Sequence, residues 1–131
     1  MTTRRRLLLL PRRFAVCRFG PDAPLPVWIF NGGATVWSLT RTPTELSLVC
    51  PAEDLPPSVD ENVTSPWRAF ALDGVVPFET VGVIASLTVP LAAAGIPVFV
   101  LSTYDTDLLL VREQFADRAR EVLAADFDVE G

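Results

Sequence analysis

The chain has 131 residues, half of them hydrophobic, and carries a formal net charge of −5. This length fits one ordinary domain or two very small ones that share a core, and the hydrophobic content excludes global disorder. The acidic balance argues against nucleic-acid binding, and the absence of histidine and lysine removes the usual general base and Schiff-base chemistry, so we expect no enzyme.

The N-terminal segment joins three arginines at 4–6 to four leucines at 7–10, which end at Pro11. A secretion signal needs a longer apolar run, so we reject one and expect a cytoplasmic protein. We expect the leucines to form an edge segment that leads into the first strand. The arginines are expected to be a solvated tail rather than a site for a polyanion.

The first half is predicted to run strand, short helix, strand, strand, short helix. Pro21, Pro24 and Pro26 limit its first helix to a turn. The predicted elements are a strand at 14–19, a helical turn within 25–30, strands at 35–39 and 46–50, and a turn at 52–55. The polar residues that follow, up to Pro66, are bounded by prolines and predict a linker.

The second half is predicted to repeat that order at greater length: a strand at 68–72, a helix at 80–94, strands at 96–101 and 108–111, and a helix at 113–125. Thr80 is the expected N-cap of the first helix, and Pro90 should kink it. No charge occurs between Thr80 and Tyr104, but Pro90, Gly95 and Pro97 interrupt this stretch, so we expect no membrane span.

The two halves share a hairpin pattern. Residues 98–111 can be laid on residues 36–49 at a constant offset of 62, and both read as an apolar strand, a hydroxyl-rich turn and a second apolar strand. The match predicts two copies of one small unit. We therefore assign residues 1–57 to a reduced first repeat, 58–67 to a linker and 68–131 to a second repeat.

The strands of the second hairpin do not alternate apolar and polar residues, so both of their faces should be covered. Helices would cover one face, and the first repeat or a second chain would cover the other. We favour a homodimer.

The two cysteines, Cys17 and Cys50, lie in apolar strand-like runs and are expected to be small buried residues. A disulfide between them stays possible. Two cysteines without histidine make a poor metal site, and no glycine-rich phosphate loop is present, so we expect no metal and no cofactor.

Several segments share a pattern beyond the hairpins: residues 44–50, 82–87, 90–96, 102–107 and 110–111. Together they resemble the ACT-domain group of small bacterial two-ACT proteins and eukaryotic arginine sensors. The resemblance implies an α+β fold of two ferredoxin-like βαββα repeats with antiparallel sheets, in which the first repeat has reduced helices. It also implies that the chain binds a small molecule, usually an amino acid, as a non-catalytic regulatory module.

By the same resemblance, the ligand would lie between the loop that enters the first helix and the turn of the second hairpin. The implied ligand-binding residues are Thr80, Gly82, Val83, Ile84, Thr103, Tyr104 and Asp105. The reduced first repeat leaves open which unit completes the pocket and which amino acid fits.

The chemistry of these residues agrees with such a ligand. Backbone N–H groups at a helix start can hold a carboxylate, and Gly82 permits close approach. Asp105 and the Thr103 hydroxyl could accept from an ammonium or guanidinium group, and Tyr104 could stack on a cation. Structural roles stay open, because Asp105 could cap its own turn and Thr80 could be only a helix cap.

An alternative function is a dimerisation or protein-interaction module that uses no ligand and keeps only a vestigial pocket. The apolar hairpin would then form its interface. The presence or absence of a bound small molecule separates the two functions.

Overall fold

The computed structural model describes residues 4–33 and 35–131. Within these residues the chain forms a mixed α+β fold of eight strands and two α-helices. The elements are β1 Arg6–Leu9, β2 Phe14–Phe19, β3 Ser38–Arg41, β4 Leu46–Pro51, β5 Val63–Leu72, α1 Val83–Ala93, β6 Phe99–Ser102, β7 Asp107–Arg112, α2 Ala116–Leu123 and β8 Asp128–Glu130.

The chain divides into two compact units. The inserted unit is Arg12–Trp67, and the outer unit joins the residues up to Pro11 with Arg68–Gly131. Strand β5 contributes its first residues to the inserted unit and its last residues to the outer unit.

In the inserted unit the strands lie in the order β3-β4-β2-β5, and β4 pairs antiparallel with both β3 and β2. Short 3-10 helices at Val27–Asn31 and Ala52–Asp54 replace longer helices, as the prolines predict. The core of this unit is small: Ala15, Cys17, Ile29, Leu48 and Cys50 are buried in one cluster.

In the outer unit the strands lie in the order β6-β7-β5-β1-β8. Both helices pack onto one larger cluster, to which α1 contributes Val83, Leu87 and Leu91, and α2 contributes Ala116, Ala119 and Leu123. These three residues of α2 form the apolar stripe that the helix buries.

The prediction of an N-terminal edge segment is wrong. Strand β1 lies between β5 and β8, antiparallel to the first and parallel to the second. Leu7 is fully buried there. The predicted first repeat, 1–57, contains β1, which instead pairs with residues 70–72 of the outer unit.

Two of the three N-terminal arginines, Arg4 and Arg6, make hydrogen bonds rather than forming a solvated tail. The Arg4 guanidinium donates to the carbonyls of Ala124 and Phe127, just beyond α2, where cations are favourable. Arg6 donates to the Glu130 carboxylate, and this bond raises the pKa of Arg6. These contacts hold the start of β1 against the C-terminal part of the outer unit.

Helix α1 begins later than predicted. Gly82, with φ of +87°, occupies the N-cap position, so Thr80 is not the cap. The Thr80 N–H instead donates to the Pro77 carbonyl over 3.0 Å. Glycine adopts this left-handed conformation without the steric cost of a Cβ, which lets the chain turn sharply into the helix. Pro90 lies inside α1, as expected.

The two hairpins match at an offset of 61 residues rather than the predicted 62. Leu39 pairs with Leu48 in one hairpin, and Val100 pairs with Leu109 in the other. A shift of one residue moves a side chain to the opposite face of a sheet. The predicted match of Glu45 with Asp107 is therefore wrong.

The turns of the two hairpins are closed in the same way. The Thr42 N–H donates to the Glu45 carbonyl over 2.8 Å, and the Thr103 N–H donates to the Thr106 carbonyl over the same distance. In each turn the threonine hydroxyl also accepts from the backbone N–H three residues on, at 3.1 Å. The hairpin pattern seen in the sequence is thus a shared turn geometry.

Two further differences enlarge the predicted sheet. Strand β5 begins at Val63, so the last residues of the predicted 58–67 linker form a strand that pairs with β2. Strand β8 was not predicted, because three residues, of which two are acidic, give no strand pattern.

The apolar strand β7 is buried without a second chain, since its residues from Leu108 to Val111 are all at most 7% exposed. The uniform pattern of β7 therefore does not by itself require a dimer. Edge strand β6 is only half-buried. No helix in the described ranges has the length and hydropathy that a membrane crossing needs.

Cys17 and Cys50 are free thiols in the core of the inserted unit, as expected of small buried residues. The Cys50 thiol donates a hydrogen bond to the Cys17 sulfur, and this bond together with burial raises the pKa of Cys50. Both effects favour the neutral form of Cys50.

Candidate functional site

A cavity of about 600 Å³ opens in the outer unit between the start of α1 and the end of the β6–β7 hairpin. Fourteen residues line it: Val76, Pro77, Phe78, Thr80, Gly82, Val83, Ile84, Ala85, Thr88, Ser102, Thr103, Tyr104, Thr106 and Asp107. This volume is in the range of small-molecule sites.

One wall of the cavity is the first turn of α1. The first N–H groups of a helix have no partner within it and carry its positive dipole end, so Val83, Ile84 and Ala85 present donors to an anion. The hydrogen bond from the Ser86 N–H to the Gly82 carbonyl, at 2.9 Å, closes this turn. The left-handed Gly82 is the N-cap residue of this helix and also lines the cavity.

The opposite wall is the hairpin turn. The Thr106 hydroxyl donates to the Leu72 carbonyl over 3.0 Å and ties the turn to the end of β5. The Val76 N–H donates to the Asp105 carbonyl over 2.6 Å and ties the turn to the loop before α1. These bonds hold the turn against the end of β5 and against the loop before α1.

Asp107 carries the one charge among the lining residues that the structure describes. Its Oδ1 accepts from the Ser102 hydroxyl over 2.7 Å, which leaves further lone pairs on the carboxylate. Ser102 and Asp107 face each other as the last pair of the β6–β7 ladder. The cavity therefore places helix N–H groups on one side and a carboxylate on the other.

An aromatic pair forms part of the cavity lining. The rings of Phe78 and Tyr104 meet edge to face, with centroids 4.7 Å apart and planes inclined by 77°. Phe78 is 69% exposed and Tyr104 is 79% exposed. Large exposed aromatic side chains beside a cavity can enclose a ligand or contact another protein.

The structure brings six of the seven predicted ligand-binding residues to this cavity: Thr80, Gly82, Val83, Ile84, Thr103 and Tyr104. Asp105 is not among the lining residues. Its backbone carbonyl accepts a hydrogen bond from the Val76 N–H. Sequence reasoning missed Asp107. The sequence holds a signal for Asp107. An acidic residue at the first position of the strand that follows a hairpin turn lies opposite the last residue of the strand before the turn.

A family model for the ACT domain matches residues 62–125, and a second, described as an N-terminal domain, matches residues 12–58. Residues 62–125 thus belong to the ACT-domain family. It is 35% identical over 138 residues to the cytosolic arginine sensor for mTORC1 subunit 1 of Bos taurus, covering 95% of this chain and 35% of that protein. The chain thus spans about a third of the length of these relatives.

Solved structures extend the comparison. A protein from Agrobacterium tumefaciens is 32% identical, with a TM-score of 0.86 over 98% of this chain and 94% of that one. The ligand-free regulatory subunit of aspartate kinase from Thermus thermophilus has a TM-score of 0.65 over 93% of this chain and 97% of that one. Its identity is 15%, so this likeness concerns the fold alone.

Proposed function

We propose that the chain is a non-catalytic regulatory module that binds a free amino acid in the cavity of the outer unit. The observation that carries the proposal is the pairing, across one cavity, of a helix start with a carboxylate. An amino acid offers a carboxylate to the first and an ammonium to the second. The mTORC1 relatives are named arginine sensors, which supports an amino-acid ligand and makes arginine the first to test.

The proposed contacts follow from the walls of the cavity. The N–H groups of Val83 and Ile84 bind the ligand carboxylate, beside Gly82, which has no side chain in the way. The Thr80 and Thr103 hydroxyls supply polar contacts. Tyr104 encloses the side chain together with Phe78.

Asp107 accepts the cationic group in this proposal. Asp107 is among the residues that line the cavity and Asp105 is not, and the Ser102 hydroxyl donates to one of the Asp107 carboxylate oxygens. The role first predicted for Asp105 stays a prediction, and the two residues form a matched pair for mutagenesis.

The two-repeat organisation is part of the proposal. In the inserted unit the hairpin strand β4 lies beside β2, and in the outer unit the hairpin strand β7 lies beside β5. This shared order, with the matched turns, supports two diverged copies of a βαββα unit. We expect the module to work in the cytosol, the compartment in the names of the relatives.

The test is thermal unfolding with each amino acid. A ligand at about 100 times its Kd adds roughly 2.7 kcal/mol of stability. Asp107→Asn should remove most of the shift by deleting the charge of the acceptor. Asp105→Asn is the control and should keep the shift. No shift with any amino acid, or equal loss in both variants, contradicts the proposal.

A homodimer is proposed as the functional assembly. Strand β6 ends the sheet of the outer unit and is only half-buried, so its backbone can pair with another chain. Light scattering coupled to size-exclusion chromatography should give twice the 14.3 kDa chain mass. A monomer at every concentration and ligand condition excludes this assembly.

A second candidate, a ligand-free interaction module, draws on the exposed apolar residues beside the cavity. Val75 and Val81 are 70% and 94% exposed. Native mass spectrometry of the purified protein separates the two functions, since a bound amino acid is expected only for the sensing module.

A further inference from the structure

The two hairpins end differently, although they share one turn. At the offset of 61, Ser102 and Asp107 of the outer unit correspond to Arg41 and Leu46 of the inserted unit. Leu46 is fully buried, so no carboxylate stands where Asp107 lines the cavity. Arg41 takes the place of Ser102 and carries a long cationic side chain.

The side chain of Arg41 reaches the loop after β2. One terminal nitrogen donates to the Pro21 carbonyl, and the other donates to the Ala23 carbonyl over 2.7 Å. A guanidinium presents its donors in a fixed planar fork, which suits two acceptors held side by side. The geometry is that of a bound guanidinium group.

The loop itself is held in shape for these two bonds. The Ala23 N–H donates to the Gly20 carbonyl over 3.1 Å and closes a tight turn. Pro21 and Pro24 fix their own φ angles, which restricts how the carbonyls can rotate. The turn and the prolines therefore limit the directions that the two carbonyls can take, and the bonds from Arg41 hold them there.

We propose that residues 20–24 form a guanidinium-binding site, which the chain fills with its own Arg41. The filled site joins the hairpin to the loop after β2, at the place that corresponds to the open cavity of the outer unit. The inserted unit is thereby closed, and the chain holds one amino-acid site rather than two. This last clause rests on the proposed function; the guanidinium site does not.

Hydrogen exchange tests the site directly. In Arg41→Ala the amide of Ala23 should exchange about fivefold faster, because the charged hydrogen bonds that hold the loop are lost. Ethylguanidinium at tens of millimolar should restore slow exchange, whereas ethylammonium, which lacks the planar fork, should not. Unchanged exchange in Arg41→Ala, or equal restoration by ethylammonium, overturns the proposal.

Arg18→Ala is the matched control. Arg18 also donates to a backbone carbonyl of the inserted unit, that of Thr44 over 3.1 Å, but it is not bonded to the loop at 20–24. Exchange at Ala23 should stay at the wild-type rate in this variant. An equal acceleration would show a general loosening of the unit and would contradict a specific site.

Stoichiometry tests the closed unit. Native mass spectrometry with L-arginine should show one bound molecule per wild-type chain, and two would overturn the closure. If none of the amino acids binds, the proposed function fails, and the exchange experiment still decides the role of Arg41.

Discussion

The hairpins of the two units share a register and a turn but differ in what covers them. In the outer unit, helices of 11 and 8 residues pack on the sheet. In the inserted unit, the corresponding segments form 3-10 helices of 5 and 3 residues. The comparison indicates that the strand pairing and the turn are enough to specify the hairpin. A long first helix is needed in addition to form a wall of the cavity.

The cause of the difference lies in the loops after β2 and β5. Pro21, Pro24 and Pro26 remove backbone donors and fix φ, so a long helix cannot follow β2. The chain after β5 instead reaches Gly82, whose left-handed conformation starts α1. One unit has kept a helix start that can face a ligand, and the other has not.

The largest expected effect compares matched core leucines. Leu48 and Leu109 correspond at the offset of 61, and both are at most 1% exposed. Each change to alanine should cost about 2–5 kcal/mol, and Leu109→Ala should cost more, because the thin cover over Leu48 can collapse into the space. Urea unfolding measures both. A larger loss for Leu48→Ala would break the comparison.

The next effect concerns the helix start that only the outer unit keeps. Gly82→Ala places a Cβ on a residue with φ of +87° and should cost about 1–2 kcal/mol, although no atom lies within 4 Å of that Cβ. Gly20→Ala, in the loop of the inserted unit, also has open space but no positive φ, so its stability should hardly change. Equal losses would refute the role of backbone conformation.

The pH dependence of the free energy of unfolding should arise in the inserted unit, which holds both cysteines. The pKa of Cys50 is raised in the folded state, so the folded chain keeps this proton while the unfolded chain loses it. The stability that this Cys50 proton contributes is therefore complete below the unfolded thiol pKa of about 8.5 and should fall by about 1.4 kcal/mol per pH unit above it. Urea unfolding from neutral to alkaline pH measures the slope. Cys50→Ala should reduce it, and an unchanged slope contradicts the assignment.

The smallest effect compares the two turn hydroxyls. Thr42→Ala and Thr103→Ala should each cost about 0.5–1.5 kcal/mol, since each hydroxyl accepts a backbone N–H. Only Thr103→Ala should also weaken amino-acid binding, because Thr103 lines the cavity. Calorimetric titration with L-arginine separates the two. Equal weakening by Thr42→Ala would contradict a single site in the outer unit.

Local signals in the sequence predicted the elements well. Strand β2 has the predicted bounds, Phe14–Phe19, and β4 extends the prediction by one residue. The helix after β5 was placed too early, because threonine is a commoner N-cap than a left-handed glycine. The register of the repeat was off by one, since apolar runs without alternation do not fix which residues face each other.

Long-range pairing could not be predicted. The leucines of β1 show only that the segment is apolar, and nothing local indicates that Leu7 pairs with Leu72. The site was partly predictable, because Gly82 and Thr103 belong to recognisable segments. Asp107 was missed because the predicted strand starts at Leu108, one residue after the first residue of β7.

The position of β1 has a consequence for the order in which the chain can assemble. All of the inserted unit is contiguous, so it can close while the rest is still being synthesised. The outer unit has an early strand between two late ones, so residues 6–9 must wait for β5 and β8. A fragment trimmed to residues 62–125 would lack both β1 and β8 and leave the backbone of β5 open to aggregation.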